Sequence, residues 1–181
     1  MIGELTHRLA ARADLPVLEP LIESAISTLL QGFLTPEQIA ASRAGMGLDT
    51  RLIDDGTYFI IELGDTVVGC GGWSRRSTLY GGDHSAGRDD SLLDPATDPA
   101  RVRAMYTRPG FTRRGIGRLV LSLAATAAAA EGFSRLELVA TKAGRPLYQA
   151  AGFEPVEEFV DVVGGVEVPL VRMGKAIPPS G

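Results

Sequence analysis

Apolar residues recur at helical spacing in the first part of the chain. Residues 15–30, LPVLEPLIESAISTLL, follow Asp14, which we predict to cap the helix that they form. Thr35 and Pro36 combine a capping side chain with a proline in the first helical turn, which predicts a second helix. Residues 6–13 alternate enough to predict a short strand. The chain therefore begins with one strand and two helices.

Strand-like patterns dominate the middle of the chain. Residues 57–76, TYFIIELGDTVVGCGGWSRR, contain two β-rich runs joined at Gly64-Asp65, which is a hairpin signal. An irregular segment follows over residues 77–99, and loops of that length are often functional. Residues 101–107, RVRAMYT, predict the next strand.

Helices and strands alternate in the last third. A long helix rich in alanine and leucine is predicted from near Gly117 to Gly132, then a strand over 135–141 and a short helix over 145–151. Two β-rich runs separated by Gly164-Gly165 predict a final hairpin. The order β-α-α-β-β-β-α-β-α-β-β predicts an α/β (α+β) protein whose sheet begins mostly antiparallel.

Composition indicates an ordinary globular protein. We expect one domain over residues 1–175 and a flexible tail over 176–181. The formal charge of −4 disfavours nucleic acid and an anionic membrane as partners. The single cysteine, Cys70, rules out an intrachain disulfide, and it is most simply a small buried side chain. With no secretory signal visible, a cytoplasmic location is the expectation.

A loop rich in glycine and arginine precedes the long helix. Residues 112–118 read TRRGIGR, and the wider segment 101–118 contains six arginines and no acid. The first N–H groups of a helix lack partners and carry the positive end of its dipole, and glycine lets the backbone approach an anion. The loop therefore predicts a phosphate-binding site.

Two common nucleotide motifs do not fit this loop. A nucleoside-triphosphate loop needs lysine and then serine or threonine after its second glycine, where Arg118 and Leu119 stand. A dinucleotide-binding fingerprint needs a third glycine where Val120 stands, and it belongs to an early β-α-β unit. The phosphate ligand must be of another kind.

Two segments, correctly ordered and spaced, carry a family pattern. Residues 105–121, MYTRPGFTRRGIGRLVL, look like a strand, a proline and an Arg/Gln-x-x-Gly-x-Gly/Ala pyrophosphate loop. Residues 146–156, PLYQAAGFEPV, are similar to a Tyr-x-x-x-Gly-Phe segment. Together they resemble the GNAT superfamily of acyl-CoA-dependent N-acetyltransferases. The resemblance implies a GNAT-like fold, with a mixed, mostly antiparallel central sheet flanked by helices and splayed strands that form the acyl-CoA cleft.

The resemblance also implies an activity and a site. The protein would transfer an acetyl group from acetyl-CoA, a co-substrate used without a metal, directly to a primary amine of a small molecule or peptide. The implied cofactor-binding residues are Met105, Tyr106 and Thr107 on the strand, and Arg113, Arg114, Gly115, Ile116, Gly117 and Arg118 in the loop. Tyr148 would be the catalytic acid that protonates the departing thiolate, since a phenol of pKa about 10 is protonated at neutral pH.

Three positions depart from the family pattern. Thr112 stands where the loop usually begins with arginine or glutamine, and Thr141 stands where many members have an asparagine that contacts CoA. Residues 101–107 contain no Asp or Glu that could act as a base. These departures leave a second interpretation open, a non-catalytic acyl-CoA-binding or sensing module on the same fold.

Acceptor recognition leaves several alternatives open. Residues 83–98 contain five aspartates, which predict either an acidic rim that attracts a cationic amine or an ordinary solvated loop. His84 in that segment is either a base or an exposed histidine. Trp73, Arg75 and Tyr80 could line an acceptor pocket, although Trp73 is equally suited to the core and Arg75 to the surface. The C-terminal hairpin could support a homodimer.

Overall fold

A computed structural model describes residues 3–83 and 89–178, and it contains seven strands and five α-helices over those ranges. The strands are β1 (Leu5–Leu9), β2 (Tyr58–Leu63), β3 (Thr66–Ser74), β4 (Ala100–Thr107), β5 (Arg135–Ala140), β6 (Glu154–Val163) and β7 (Val166–Ala176). The helices are α1 (Leu15–Leu29), α2 (Pro36–Gly45), α3 (Thr50–Asp54), α4 (Ile116–Ala130) and α5 (Arg145–Ala150). The strands form one sheet of order β1-β2-β3-β4-β5-β7-β6, in which only β4 and β5 run parallel. The predicted mixed, mostly antiparallel sheet is confirmed.

The first strand is shorter than predicted. β1 ends at Leu9, and Arg12–Asp14 form a single turn of 3-10 helix before α1. The Asp14 carboxylate does not cap α1; it accepts hydrogen bonds from the Ala11 N–H at 2.8 Å and from the Arg8 guanidinium. The prediction failed because a carboxylate next to a helix start can also turn back to satisfy the preceding loop.

The start of α2 agrees with its prediction. Thr35 Oγ1 accepts from the Gln38 N–H at 3.1 Å, and Gln38 Oε1 accepts from the Thr35 N–H at 3.0 Å. This reciprocal pair satisfies two N–H groups that the helix itself cannot. α3 was not predicted, because five residues are too few to show helical periodicity. It begins where Asp49 Oδ1 accepts from the Arg51 N–H.

Glycines in β3 allow α4 to lie close to the sheet. A Cβ at Gly71 would come within 2.7 Å of Val120 Cγ1, and one at Gly69 would overlap the Ile116 side chain. Both contacts belong to the first turns of α4, so these glycines fix the height of that helix above β3. The Gly-rich run of β3 therefore has a packing role.

Helices cover both faces of the sheet. Neighbouring residues of β2 point to opposite sides: Ile60 packs with α1, whereas Ile61 packs with Ile116 and Val120 of α4. The two predicted hairpins, around Gly64 and Gly164, are confirmed. β7 ends at Ala176 and the Ile177 N–H donates to Ser134 O at 2.8 Å; the flexible tail over 176–181 stays a prediction, and residues 179–181 lie outside the described part.

Strands β4 and β5 separate after a short parallel contact. They pair only at Ala100↔Leu136 and Arg101↔Glu137. Beyond that point β4 contains a bulge, where its register with β3 shifts and Ala104 takes a left-handed φ of 52°. Glu137 holds the base of the fork, because it accepts from Arg101 Nη1 at 2.9 Å and from Arg172 Nη1 of β7 at 2.8 Å.

Candidate active site

A cleft of about 910 Å³ opens where β4 and β5 separate. One end is formed by the loop before α4, including Arg113 and Gly115. Tyr148 of α5 and Met105 of β4 lie along its middle. The other end lies between α1 and the β6–β7 hairpin. A cavity of this size has room for a cofactor and a small substrate.

The loop before α4 has an open backbone. Gly115 is the residue before the helix, with φ of 82°, and no atom lies within 4 Å of the position where its Cβ would be. Residues 112–115 and Arg118 are exposed. Within the described chain no side chain caps α4, and its first turn contains no acid. An exposed helix start without a side-chain cap is of the kind that can receive an anion, and anion binding here stays a prediction.

The second glycine of the loop has a different neighbour. A Cβ on Gly117 would lie 2.6 Å from Leu147 Cδ2, so this glycine lets α5 pack against the first turn of α4. The predicted contact of Gly117 with a ligand can therefore involve only its N–H group. The two glycines therefore differ: the Cβ position of Gly115 is open, whereas Gly117 permits close packing of α5 on α4.

The arginines that suggested an anion site divide into two groups. Arg101 pairs with Glu137, Arg103 forms a buried ion pair with Asp49 at 3.1 Å, and Arg108 Nε donates to Val67 O at 2.7 Å. These three hold the fold together. The remaining three are exposed: Arg113 and Arg114 lie in the loop, and Arg118 lies in the first turn of α4. The electrostatic support for an anion therefore comes from fewer arginines than the sequence count indicated.

Tyr148 presents its hydroxyl to the middle of the cleft. Its ring lies edge-on to Phe153 at 6.0 Å between centroids, and it passes so close to Gly144 that a Cβ there would be 3.0 Å from Cε2. The hydroxyl contacts Met105 Sδ at 3.9 Å. Burial raises the pKa of Tyr148 to about 12, so the phenol stays protonated at neutral pH. Tyr148 is partly buried, and among the described residues its hydroxyl has only this weak acceptor.

The predicted strand residues Met105, Tyr106 and Thr107 all line the cleft. The Tyr106 hydroxyl accepts from the Gly47 N–H at 2.9 Å, while the Tyr58 hydroxyl donates to Ala104 O at 2.7 Å and supports the bulge. Beyond the fork this part of β4 has no pairing with β5. Its backbone groups on that side therefore face the cleft.

Cys70 is an inert cleft residue. Its thiol is buried, and desolvation raises its pKa to about 12, which disfavours the thiolate that a nucleophile would need. The expectation of a small buried side chain is confirmed.

The acidic segment does not form a rim on the cleft. Asp83 Oδ1 accepts from the Thr50 N–H, Asp89 Oδ1 from the Ser91 N–H, and Asp94 Oδ1 from the Ala96 N–H. Asp90 pairs with Arg51 at 3.3 Å. These carboxylates stabilise turns and a loop contact, and none of them lines the cleft. The ordinary-loop interpretation holds for the described part, and His84 lies outside it.

Two of the three candidate acceptor residues belong elsewhere. Trp73 is fully buried against Phe133, with ring centroids 5.9 Å apart. Arg75 makes two hydrogen bonds of 2.8 Å to the Glu131 carboxylate. Only Tyr80 lines the cleft, and with it lies Asp161 of β6, which sequence reasoning missed. In the sequence Asp161 is one acid in a strand where apolar and polar residues alternate, and this pattern does not indicate that the strand lines a cleft.

Sites of other kinds are not found among the residues described. Over 3–83 and 89–178 no cluster of His, Cys, Asp and Glu side chains is arranged to hold a metal ion. In the same ranges no helix has the length and apolar character to cross a membrane.

Comparison with known proteins decides the family. The sequence model of the acetyltransferase (GNAT) family matches residues 23–153, which include the fork, the α4 loop and Tyr148. The chain belongs to the GNAT acetyltransferase family. The family match spans both motifs that suggested the resemblance. No curated protein matches the sequence at a significant level.

Solved structures of GNAT proteins share this fold across almost their whole length. A GCN5-related N-acetyltransferase from Rhodopseudomonas palustris has 16% identity and a TM-score of 0.70, with 97% of this chain and 98% of that chain covered. PaiA N-acetyltransferase from Thermoplasma acidophilum, in complex with coenzyme A, has 15% identity and a TM-score of 0.63, with 96% and 99% covered. A putative acetyltransferase from Salmonella typhimurium, with acetyl-CoA, has 18% identity and a TM-score of 0.61, with 99% and 97% covered.

Proposed function

We propose that this GNAT protein transfers an acetyl group from acetyl-CoA directly to a primary amine. The observation that carries the proposal is one continuous cleft that joins an open helix N-terminus at Gly115 to a buried, protonated phenol at Tyr148. A phosphate-containing thioester needs both features, one at each end of an extended arm. The CoA and acetyl-CoA complexes of the two similar structures support this choice of donor.

The loop and strand would hold the donor at two places. The pyrophosphate would accept hydrogen bonds from the N–H groups of residues 113–118, with Arg113 and Arg118 adding positive charge. The arm would lie along Met105, Tyr106 and Thr107, whose backbone faces the cleft because β5 has diverged from β4. Such contacts lower the barrier mainly by orienting the thioester toward the acceptor.

The chemistry needs a proton donor on the leaving sulfur. Acetyl-CoA supplies an acetyl thioester: the amine nitrogen forms a bond to the carbonyl carbon, the carbon–sulfur bond breaks, and the sulfur leaves as a thiol. Tyr148, which lines the cleft, would give that proton, and the proton released by the amine nitrogen would return to the phenolate through solvent. A phenol whose pKa is about 12 is a weak acid, so donation occurs only as charge develops on sulfur.

A non-catalytic acyl-CoA sensor is the second candidate. Two observations favour it: β4 has no acid, and Thr141 uses its Oγ1 to accept from the Gly144 N–H at 3.3 Å. Against it stands the Tyr148 hydroxyl, whose burial without a strong partner is difficult to explain in a protein that only binds.

The α4 loop can be tested by one substitution and a matched control. Gly115→Asp should abolish detectable acetyl-CoA binding in calorimetry, because it puts a negative side chain beside the proposed pyrophosphate site. Gly110→Asp is the control, since Gly110 is also an exposed glycine with positive φ (89°) and an open Cβ position. Equal binding by both variants would disprove the loop assignment.

Catalysis is tested with the unmodified protein. Release of the CoA thiol in the presence of a panel of primary amines distinguishes a transferase from a sensor. Amine-dependent release supports the transferase. Tight acetyl-CoA binding with no release for any amine supports the sensor.

A further inference from the structure

The end of the cleft opposite the α4 loop contains one acidic side chain that the proposed reaction does not use. Asp161 of β6 is the only acid among the described residues that line the cleft. Over the described chain it has no lysine or arginine partner, although nearby Glu157 and Glu158 pair with Arg172 and Arg145. A carboxylate in a cleft without a cationic partner is a binding site for a cation.

An aromatic side chain lies next to this carboxylate. Burial and the nearby negative charge of Asp161 both raise the pKa of the Tyr80 hydroxyl, and the Tyr80 ring packs on Phe159 at 6.2 Å between centroids. Phe159 and Asp161 are two residues apart on β6, so both face the same side of the strand. The carboxylate oxygens of Asp161 therefore keep their capacity to accept hydrogen bonds from a ligand.

The surroundings favour a positive group that is joined to an apolar body. Apolar side chains that line the same cleft include Leu29, Phe33 and Val163. Residues 154–171 of the hairpin contain five acidic side chains and no lysine or arginine, and Arg172 and Arg145 pair with only two of them, so this segment keeps an excess of negative charge.

Asp161 is too far from the reaction centre to hold the reacting nitrogen. The reacting thioester would lie beside Tyr148 and Met105, near the end of β5, where Ala140 pairs with Val171 of β7. Asp161 pairs with Val168, three residues further along β7. At about 3.3 Å per residue this separation is ~10 Å along the strand, before the step across to β6 is added.

We propose that the acceptor carries two positive groups, a primary amine that reacts beside Tyr148 and a second cation, roughly 10 Å or more away, that binds Asp161. Apolar atoms link the two groups and contact the wall formed by α1 and the hairpin. Asp161 is therefore a specificity-determining residue for long diamines and related dications. This inference rests on the proposed acetyl transfer.

The test compares α,ω-diamines of increasing length with monoalkylamines of the same length. With the wild-type protein, kcat/KM should favour a long diamine over its monoamine by about 10- to 100-fold, the value of one charged hydrogen bond. Asp161→Asn should remove this preference through KM and leave monoamines unchanged. Asparagine has nearly the same shape as aspartate, so the packing beside Tyr80 is retained.

Glu167→Gln is the matched control, because it removes one negative charge from an exposed position on the same hairpin. It should keep the preference for diamines. A preference that Asp161→Asn does not change, one that is greatest for the shortest diamines, or no diamine turnover at all overturns the inference. Acetyl-CoA binding, measured in parallel by calorimetry, shows whether the proposed function failed as well.

Discussion

Replacing Tyr148 by phenylalanine should leave the stability of the protein intact. The Tyr148 side chain is partly buried, and its hydroxyl contacts a thioether sulfur 3.9 Å away, which is a weak acceptor. A buried polar group without a good partner costs about 1–3 kcal/mol, whereas phenylalanine keeps the packing against Gly144 and Phe153. The free energy of unfolding of Tyr148→Phe should therefore equal that of the wild type or exceed it by about 1 kcal/mol.

The same substitution should greatly reduce turnover. A positioned general acid raises the rate of a reaction by about 10²- to 10⁴-fold. Loss of the Tyr148 hydroxyl should therefore lower kcat by that factor, which corresponds to roughly 3–5 kcal/mol in the activation barrier. The dissociation constant of acetyl-CoA should not change, because the hydroxyl donates only as the sulfur leaves. Thiol release with excess amine measures kcat, urea unfolding measures stability, and calorimetry measures binding.

Tyr58→Phe provides the matched control for stability. Its hydroxyl donates a 2.7 Å hydrogen bond to Ala104 O, so the same chemical change should here cost about 1–2 kcal/mol. If Tyr148→Phe keeps kcat within about threefold of the wild type, Tyr148 has no part in the reaction. If it loses activity and stability together, the residue is structural and the reasoning from its unsatisfied hydroxyl is wrong.

Two further predictions concern stability. Glu137→Ala should lower the free energy of unfolding by about 3 kcal/mol in urea titrations, because it leaves the mostly buried Arg101 side chain without its carboxylate; a change below about 1 kcal/mol would contradict a role at the base of the fork. Stability should also fall as pH rises above about 8.5, by about 1.4 kcal/mol per pH unit for each group ionised only in the unfolded chain. Burial raises the pKa of the Tyr58 hydroxyl in the folded protein, and it raises the pKa values of the Cys70 thiol and the Tyr148 hydroxyl to about 12. As the pH rises, these groups therefore lose their protons in the unfolded chain before they do so in the folded protein. Unfolding midpoints that stay constant up to about pH 11 would refute this.

Local chemistry made much of the fold readable from the sequence. Thr35, Pro36 and Gln38 form a complete helix start within four positions, and Gly64 and Gly164 supply the positive φ that their turns need. The loop before α4 could be predicted as an anion site for the same reason, since a helix N-terminus binds anions through its own backbone. Such patterns depend on residues that are neighbours in the chain, so they can be recognised without knowledge of any tertiary contact.

The remaining features depend on partners distant in the chain. Arg101, Arg103 and Arg108 look like anion ligands in the sequence, and only the packed sheet gives them Glu137, Asp49 and Val67 as partners. The bulge at Ala104 is invisible in the sequence, because its left-handed backbone is held by a hydroxyl 46 residues away.

Asp161 shows the same limit at the candidate site. In the sequence it is one acid in an alternating strand, and the acidic segment 83–98 seemed the better candidate for binding a cationic acceptor. In the folded protein the described aspartates of that segment bind within local turns and a loop contact. Asp161, by contrast, lines the cleft beside Tyr80. The sequence by itself determined most of the helices and strands and suggested the anion loop, because those follow from local backbone chemistry. The tertiary structure alone decided which charges remain for a ligand, since that depends on which distant residues neutralise the others.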